Sequence, residues 1–149
     1  GPRGRRGTPP LAAAVDLPIQ PIEALRAACG RGRLLVATDD EDHPVGFALF
    51  ALYEDEAHLE EIDVVPEHAG KGLGRRLIQA VVARAREAGL PRLTLTTFRD
   101  VPFNAPFYAR LGFRIVDEPH LCPRLARIRQ EERRNGCELA PRVAMILVL

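Results

Sequence analysis

The chain has 149 residues, 46% hydrophobic and 28% charged, with a formal net charge of +1 at pH 7. That length suits one domain able to bury about two thirds of its unfolded surface. The near-neutral balance argues against nucleic acid or an acidic membrane as the main partner, and the arginine clusters at 3–6 (RGRR) and 124–134 (RLARIRQEERR) read as solvated faces.

Residues 1–19 read as a flexible tail, followed by one domain over 20–149. The tail is rich in Gly, Pro and Arg, and its apolar run is too short for a secretion signal. It begins on Gly1, which suggests processing, an expression scar or truncation. No apolar run approaches the ~20 residues of a membrane span. Cys29, Cys122 and Cys137 are too few and scattered for a disulfide framework, which points to a reducing cytoplasm. His120, Cys122 and Cys137 lack the close ligand pairs of a zinc site, so no metal is expected.

In chain order, "QPIEALRAACGRG" predicts a short amphipathic helix with Ile22, Leu25 and Ala28 on one side, stopped by Gly30 and Gly32. "RLLVATD" predicts a strand, "DDEDHP" a polar turn, and "VGFALFALYE" a strand buried on both faces. "AHLEEIDVV" predicts a third strand, with His58, Glu60, Ile62 and Val64 on one face and Leu59, Glu61, Asp63 and Val65 on the other. "LGRRLIQAVVARAREAG" is the clearest helix, its apolar stripe formed by Leu73, Leu77, Val81, Ala85 and Ala88, with Gly89 as C-terminal cap. A strand "RLTLTTF" follows, then a short helix "NAPFYARLG" with Asn104 as N-cap. A strand "FRIVDE", a helix "CPRLARIRQEERRNG" and a final strand "PRVAMILVL" complete the order. Tight turns make the first three strands an antiparallel meander, and the strand–helix–strand unit over 58–98 makes a parallel pair. The expected fold is α/β, a mixed and mostly antiparallel central sheet with helices on both faces. The apolar final strand offers a surface for a second copy, so monomer and homodimer both remain open.

The informative stretch is "PEHAGKGLGRRL", Pro66 to Leu77. Gly70, Gly72 and Gly74 let backbone N–H groups approach a ligand without a Cβ in the way. The helix that starts there adds unpaired N–H groups and the positive end of its dipole. Together they form a phosphate or pyrophosphate site, and Lys71, Arg75 and Arg76 add positive charge. The dinucleotide pattern G-x-G-x-x-G fails because its third glycine falls on Arg75. The P-loop fails because Lys71 is followed by Gly72 instead of Ser or Thr.

"IDVVPEHAGKGLGRRL" resembles motif A of the GNAT superfamily of CoA-dependent N-acyltransferases, whose core signature is Q/R-x-x-G-x-G/A. "NAPFYARLGF" (Asn104 to Phe113) resembles motif B, in the right order and about 30 residues downstream. The resemblance covers roughly residues 20–149, and "LTLTTFRDVPFNAPFYARLGF" is similar to a bacterial subgroup of mostly unassigned substrate. It implies acetyl-CoA as cofactor, with the pyrophosphate on the backbone amides of Gly70, Lys71, Gly72, Leu73, Gly74 and Arg75. Lys71, Arg75 and Arg76 would support the phosphates. The backbone of Ile62, Asp63, Val64 and Val65 would pair with the pantetheine arm. Asn104 and Phe107 would lie on the cofactor arm, and Tyr108 near the sulfur as the acid that protonates the departing thiolate. Counting back from Gly72, the signature's Gln or Arg falls on Ala69, so that side chain's contribution is missing. The family's first strand is likewise absent or hidden in "LAAAVDL".

An amine attacking a thioester must be neutral, whereas amines of pKa ~8–10 are mostly protonated at pH 7. A base is needed; Glu60 is the first candidate, Glu61 the second and His58 the third. The expected activity is direct acetyl transfer to a small-molecule or peptide amine in a ternary complex. The alternative is a non-catalytic CoA or acyl-CoA sensor on the same scaffold.

Overall fold

The computed structural model describes residues 18–22, 32–136 and 140–149. Seven strands form one sheet: β1 (Ile19–Ile22), β2 (Gly32–Thr38), β3 (Pro44–Leu52), β4 (Ala57–Val64), β5 (Arg92–Phe98), β6 (Arg114–Val116) and β7 (Arg142–Val148). Their spatial order is β1-β2-β3-β4-β5-β7-β6. Three α-helices are described: α1 (Leu73–Glu87), α2 (Ala105–Arg110) and α3 (Pro123–Arg134). All strand pairs are antiparallel except β4 with β5.

The first strand corrects the expected helix over 20–32. Ile19–Ile22 runs antiparallel to Leu34–Ala37 of β2, and Pro21 is tolerated because β1 is an edge strand. The rest of the expected helix, residues 23–31, lies outside the described residues, as do residues 1–17 of the expected tail.

α1 lays its apolar stripe on one face of the sheet and contacts β2 through β5. Leu73, Leu77, Ile78, Val81, Val82 and Ala85 are buried there, whereas the predicted Ala88 is exposed as the C-cap. Gly89, in the left-handed conformation, closes the helix: its N–H donates to the Arg86 carbonyl and that of Leu90 to the Ala85 carbonyl. At the other end the helix rests on bare backbone. A Cβ on Gly46 would stand 3.2 Å from the Asp63 carbonyl and 3.3 Å from Leu77 Cδ1, so glycine lets α1 approach β3 closely.

α3 covers the opposite face. Arg124 donates to Asp55 and to Glu56, whose carboxylate is fully buried and also accepts from Arg92 Nε at 2.7 Å. A buried carboxylate needs such partners to offset its lost hydration; here they tie the β3–β4 turn to the starts of β5 and α3. β7 lies between β5 and β6, so its backbone is already paired on both sides over Ala144–Ile146.

β4 carries a bulge that reverses the expected alternation. Phe50 faces Leu59 while Leu49 faces Glu61, leaving Glu60 as the extra residue. Ile62 lies opposite Ala48 and packs with Val64 against the core that holds Leu59. Leu59 and Ile62 therefore share the α1 side, and Ile62 and Val64 do not share a face with His58 as simple counting predicts.

Candidate active site

The parallel β4–β5 ladder consists of two pairs, Ala57 with Leu93 and His58 with Thr94. Beyond them the strands separate, so β4 from Leu59 onward carries backbone groups with no β5 partner. This opening leads directly into the glycine turn. Gly70 and Gly72 have φ of +75° and +87°, the left-handed region that favours glycine. Gly72 is the N-cap of α1 and has no side-chain cap, so no side chain among the described residues takes up the first-turn N–H groups. The first helical bond here runs from the Arg76 N–H to the Gly72 carbonyl. Gly74 is different: its φ is ordinary, and a Cβ would lie 3.7 Å from the Phe107 ring, a normal contact.

That contact brings the two motifs together, because α2 packs beside the first turn of α1. Tyr108 on α2 is 6% exposed, held edge-on by Phe107 and Phe113 with ring centroids 5.2 and 5.5 Å away. Burial pushes its phenol up to about 12, so it stays protonated at neutral pH. Asn104 holds the expected N-cap position, its carbonyl accepting from the Tyr108 N–H. Its side chain makes no capping bond to α2; Oδ1 accepts from Thr97 Oγ1 at 2.7 Å, at the end of β5.

Lys71 donates through Nζ to the Glu67 carbonyl, Arg75 is exposed on the first turn, and Arg76 is half-buried. Ala69 is exposed and extended where the signature has Gln or Arg. Along β4, the Val64 N–H donates to Asp63 Oδ1, and the Val65 N–H to the Val45 carbonyl.

The candidate bases separate clearly. On the α3 face a cleft of about 310 Å³ opens beside the strand separation, with His58, Glu60, Thr96, Glu132 and Arg142 among its walls. Glu61 is exposed but does not line it. His58 is 6% exposed, and its Nδ1 lies 2.7 Å from Thr94 Oγ1. Desolvation is the largest influence on its imidazole and lowers the pKa to about 4, although the Glu56 and Glu132 charges oppose this. The neutral ring is therefore the folded form, while an unfolded histidine titrates near 6.5. His58 thus contributes stability above pH 6.5 that is lost as pH falls toward 4. The loss is expected to reach roughly 2–3 kcal/mol. Urea unfolding at pH 7 and pH 4 should show a smaller acid loss for His58→Phe than for the parent; equal losses would refute this assignment.

Thr94, Thr96, Glu132 and Arg142 escaped the sequence reading. They sit on three different elements, and no local pattern marks them; only the pairing of β5 with β7 and the seating of α3 bring them together.

A glycine-lined helix start beside a separated parallel strand pair is an arrangement that can receive a phosphate-bearing ligand in an α/β protein. Residues 10–113 match the model of the Acetyltransferase (GNAT) family. The chain belongs to that family. It is 35% identical over 86 residues to streptothricin acetyltransferase of Streptomyces lavendulae, covering 54% of this chain and 44% of that protein. It is 29% identical over 83 residues to the peptidyl-lysine N-acetyltransferase YjaB of Salmonella typhimurium, covering 56% and 51%. The chain therefore spans about half the length of the curated relatives it matches. The structure also superposes on a GNAT family acetyltransferase from Elizabethkingia anophelis solved with acetyl-CoA bound, at a TM-score of 0.68 and 15% identity, covering 90% of this chain and 99% of that one.

Proposed function

We propose that this chain is a cytoplasmic N-acetyltransferase that moves an acetyl group from acetyl-CoA to a primary amine by direct attack in a ternary complex. The observation that carries this reading is the left-handed Gly70–Gly72 turn at the uncapped start of α1, placed at the mouth of the β4–β5 opening. The residues present fit the cofactor: a helix start with no side-chain cap suits a pyrophosphate, and β4 backbone without a β5 partner suits an amide-bearing arm.

The Gly70–Arg75 amides would hold the phosphates, with Arg75 and Arg76 adding charge. Lys71, turned onto Glu67, would have to swing to join them. The Ile62–Val65 backbone would hold the arm, although Val64 must first release Asp63 and the Val65 N–H is already committed to Val45. Asn104 and Phe107 would border the arm from α2. Bound there, acetyl-CoA supplies a thioester whose carbon accepts an amine and whose sulfur departs.

Glu60, at the bulge and on the cleft, takes the proton from the amine. Glu61 is second because it does not line the cleft, and His58 third because its ring is buried and held by Thr94. Tyr108, kept protonated by burial, donates to the departing sulfur. The name of one curated relative, a peptidyl-lysine N-acetyltransferase, supports an amine acceptor. A CoA or acyl-CoA sensor is the second reading, favoured by the missing side chain at Ala69.

Acetyl-CoA is expected to bind with a measurable calorimetric signal and to raise the melting temperature. No heat at sub-millimolar concentration would end both readings. Binding with no acetyl transfer across a broad amine panel would select the sensor.

A further inference from the structure

The cleft on the α3 face has a charge pattern that says what it admits. It lies where β4 and β5 have already parted, since Glu60 and Thr96 come after the last β4–β5 pair. A molecule in it meets the gap between the strands from the face opposite α1, so it approaches a thioester held in that gap from the other side.

Glu132 on its far wall is paired with Arg142 and, behind it, with Arg129, while the buried Arg142 Nε has no acceptor among the described residues. Glu132 accepts from Arg129 Nη1 at 2.7 Å, from Arg142 Nη2 at 3.2 Å and from Thr96 Oγ1 at 2.5 Å. Arg142 also reaches Thr96 Oγ1, and its guanidinium covers the Phe98 ring at 4.8 Å. Arg129 is further paired with Glu118. The Glu132 carboxylate of this wall is thus already engaged by three donors. Its lowered pKa, with hydrogen bonds from Thr96 and Arg129 and the Arg142 charge outweighing desolvation, fits a carboxylate that stays ionised.

The near wall is different. Glu60 is exposed and makes no side-chain hydrogen bond or ion pair among the described residues. Beside it, His58 is neutral. Thr94 Oγ1 donates to the Ala57 carbonyl, so the 2.7 Å contact is Nδ1–H donating to Thr94, and Nε2 is left as an acceptor. Of the charged groups lining the cleft, Glu60 and Glu132 outnumber Arg142 by one carboxylate. The exposed, uncommitted charge in the cleft is therefore the Glu60 carboxylate, since the unpaired Arg142 Nε is buried, and it suits N–H donors and positive charge. An acceptor that carried its own carboxylate would set it against Glu60, while Arg142 Nη2 is turned to Glu132 and Thr96. The volume, about 310 Å³, is at the small end for a ligand pocket.

We propose that this cleft is the acceptor pocket and selects small amines that enter as cations and bear no carboxylate, with Glu60 as the residue that sets this preference. The inference rests on the acetyltransferase reading above and adds the substrate class.

The matched probes are 1,5-diaminopentane and L-lysine, which differ only by the carboxylate. Thiol release from acetyl-CoA is expected to show at least a tenfold higher kcat/KM for the diamine. Because Glu60 also serves as the base, its second role is read by binding: calorimetry of 1,5-diaminopentane against the CoA-saturated protein. Glu60→Gln is expected to weaken that affinity about tenfold while the Kd for CoA stays within twofold. Preference for lysine, no turnover of either probe, or an unchanged diamine affinity in Glu60→Gln would overturn the proposal. Failure of acetyl-CoA itself to bind would instead overturn the acetyltransferase reading, so the two failures are distinguishable.

Discussion

Gly72→Glu is expected to abolish the rise in melting temperature that acetyl-CoA gives the parent protein. Two effects contribute, and they differ in size. Gly72 sits at φ +87° with nothing within 4 Å of where a Cβ would stand, so the steric cost of a side chain is conformational and not a collision. Holding an L-residue in that region costs roughly 1–2 kcal/mol, and Gly72→Ala isolates this part. Glutamate adds a negative charge at the uncapped helix start where a phosphate is to be held. Two unit charges about 5 Å apart at an effective dielectric of 20 repel by about 3 kcal/mol, or roughly a hundredfold in affinity. Gly72→Ala should therefore lower stability slightly and retain a measurable shift with acetyl-CoA, while Gly72→Glu should show none. A full shift in Gly72→Glu would place the phosphates elsewhere.

The second large effect is expected from Tyr108→Phe: a fall in kcat of about a hundredfold, the lower end for loss of a positioned proton donor, with the Kd for acetyl-CoA within twofold. The substitution keeps the ring and its edge-on contacts with Phe107 and Phe113, so packing and stability should change little. A phenol at about 12 is protonated at every practical pH. It is also a weak acid, so donation to sulfur is effective only because burial raises a thiolate's basicity in the same place. The kcat profile should accordingly show no alkaline limb from Tyr108 below about pH 10. An unchanged kcat in Tyr108→Phe would remove the residue from the donor role; a parallel loss of cofactor affinity would make it a packing residue.

Much of the fold was legible from local patterns. α1, α2, α3 and six of the seven strands lie where periodicity and the Gly and Pro punctuation put them. The misreadings have particular causes. "QPIEALRAACGRG" carries helical spacing, yet its first three residues, with Ile19 of the expected tail, pair with β2, and that pairing is invisible locally. The alternation on β4 failed because one inserted residue, Glu60, shifts every later side chain to the other face. Asn104 is the N-cap that its identity predicts, yet its side chain does not cap the helix, because Thr97, brought near by tertiary packing, takes its amide oxygen.

What the sequence determined by itself is the cradle: glycines that tolerate left-handed backbone, followed at once by a helix. Both are local steric and hydrogen-bonding properties, written in a dozen consecutive residues. Tertiary structure alone decided the rest of the site. It ends the β4–β5 ladder after two pairs, seats Phe107 against Gly74, and gathers His58, Glu60, Thr96, Glu132 and Arg142 around one cleft. Those groups come from strands and a helix distant in the chain, so their meeting depends on sheet register and helix packing, which no local run of residues encodes.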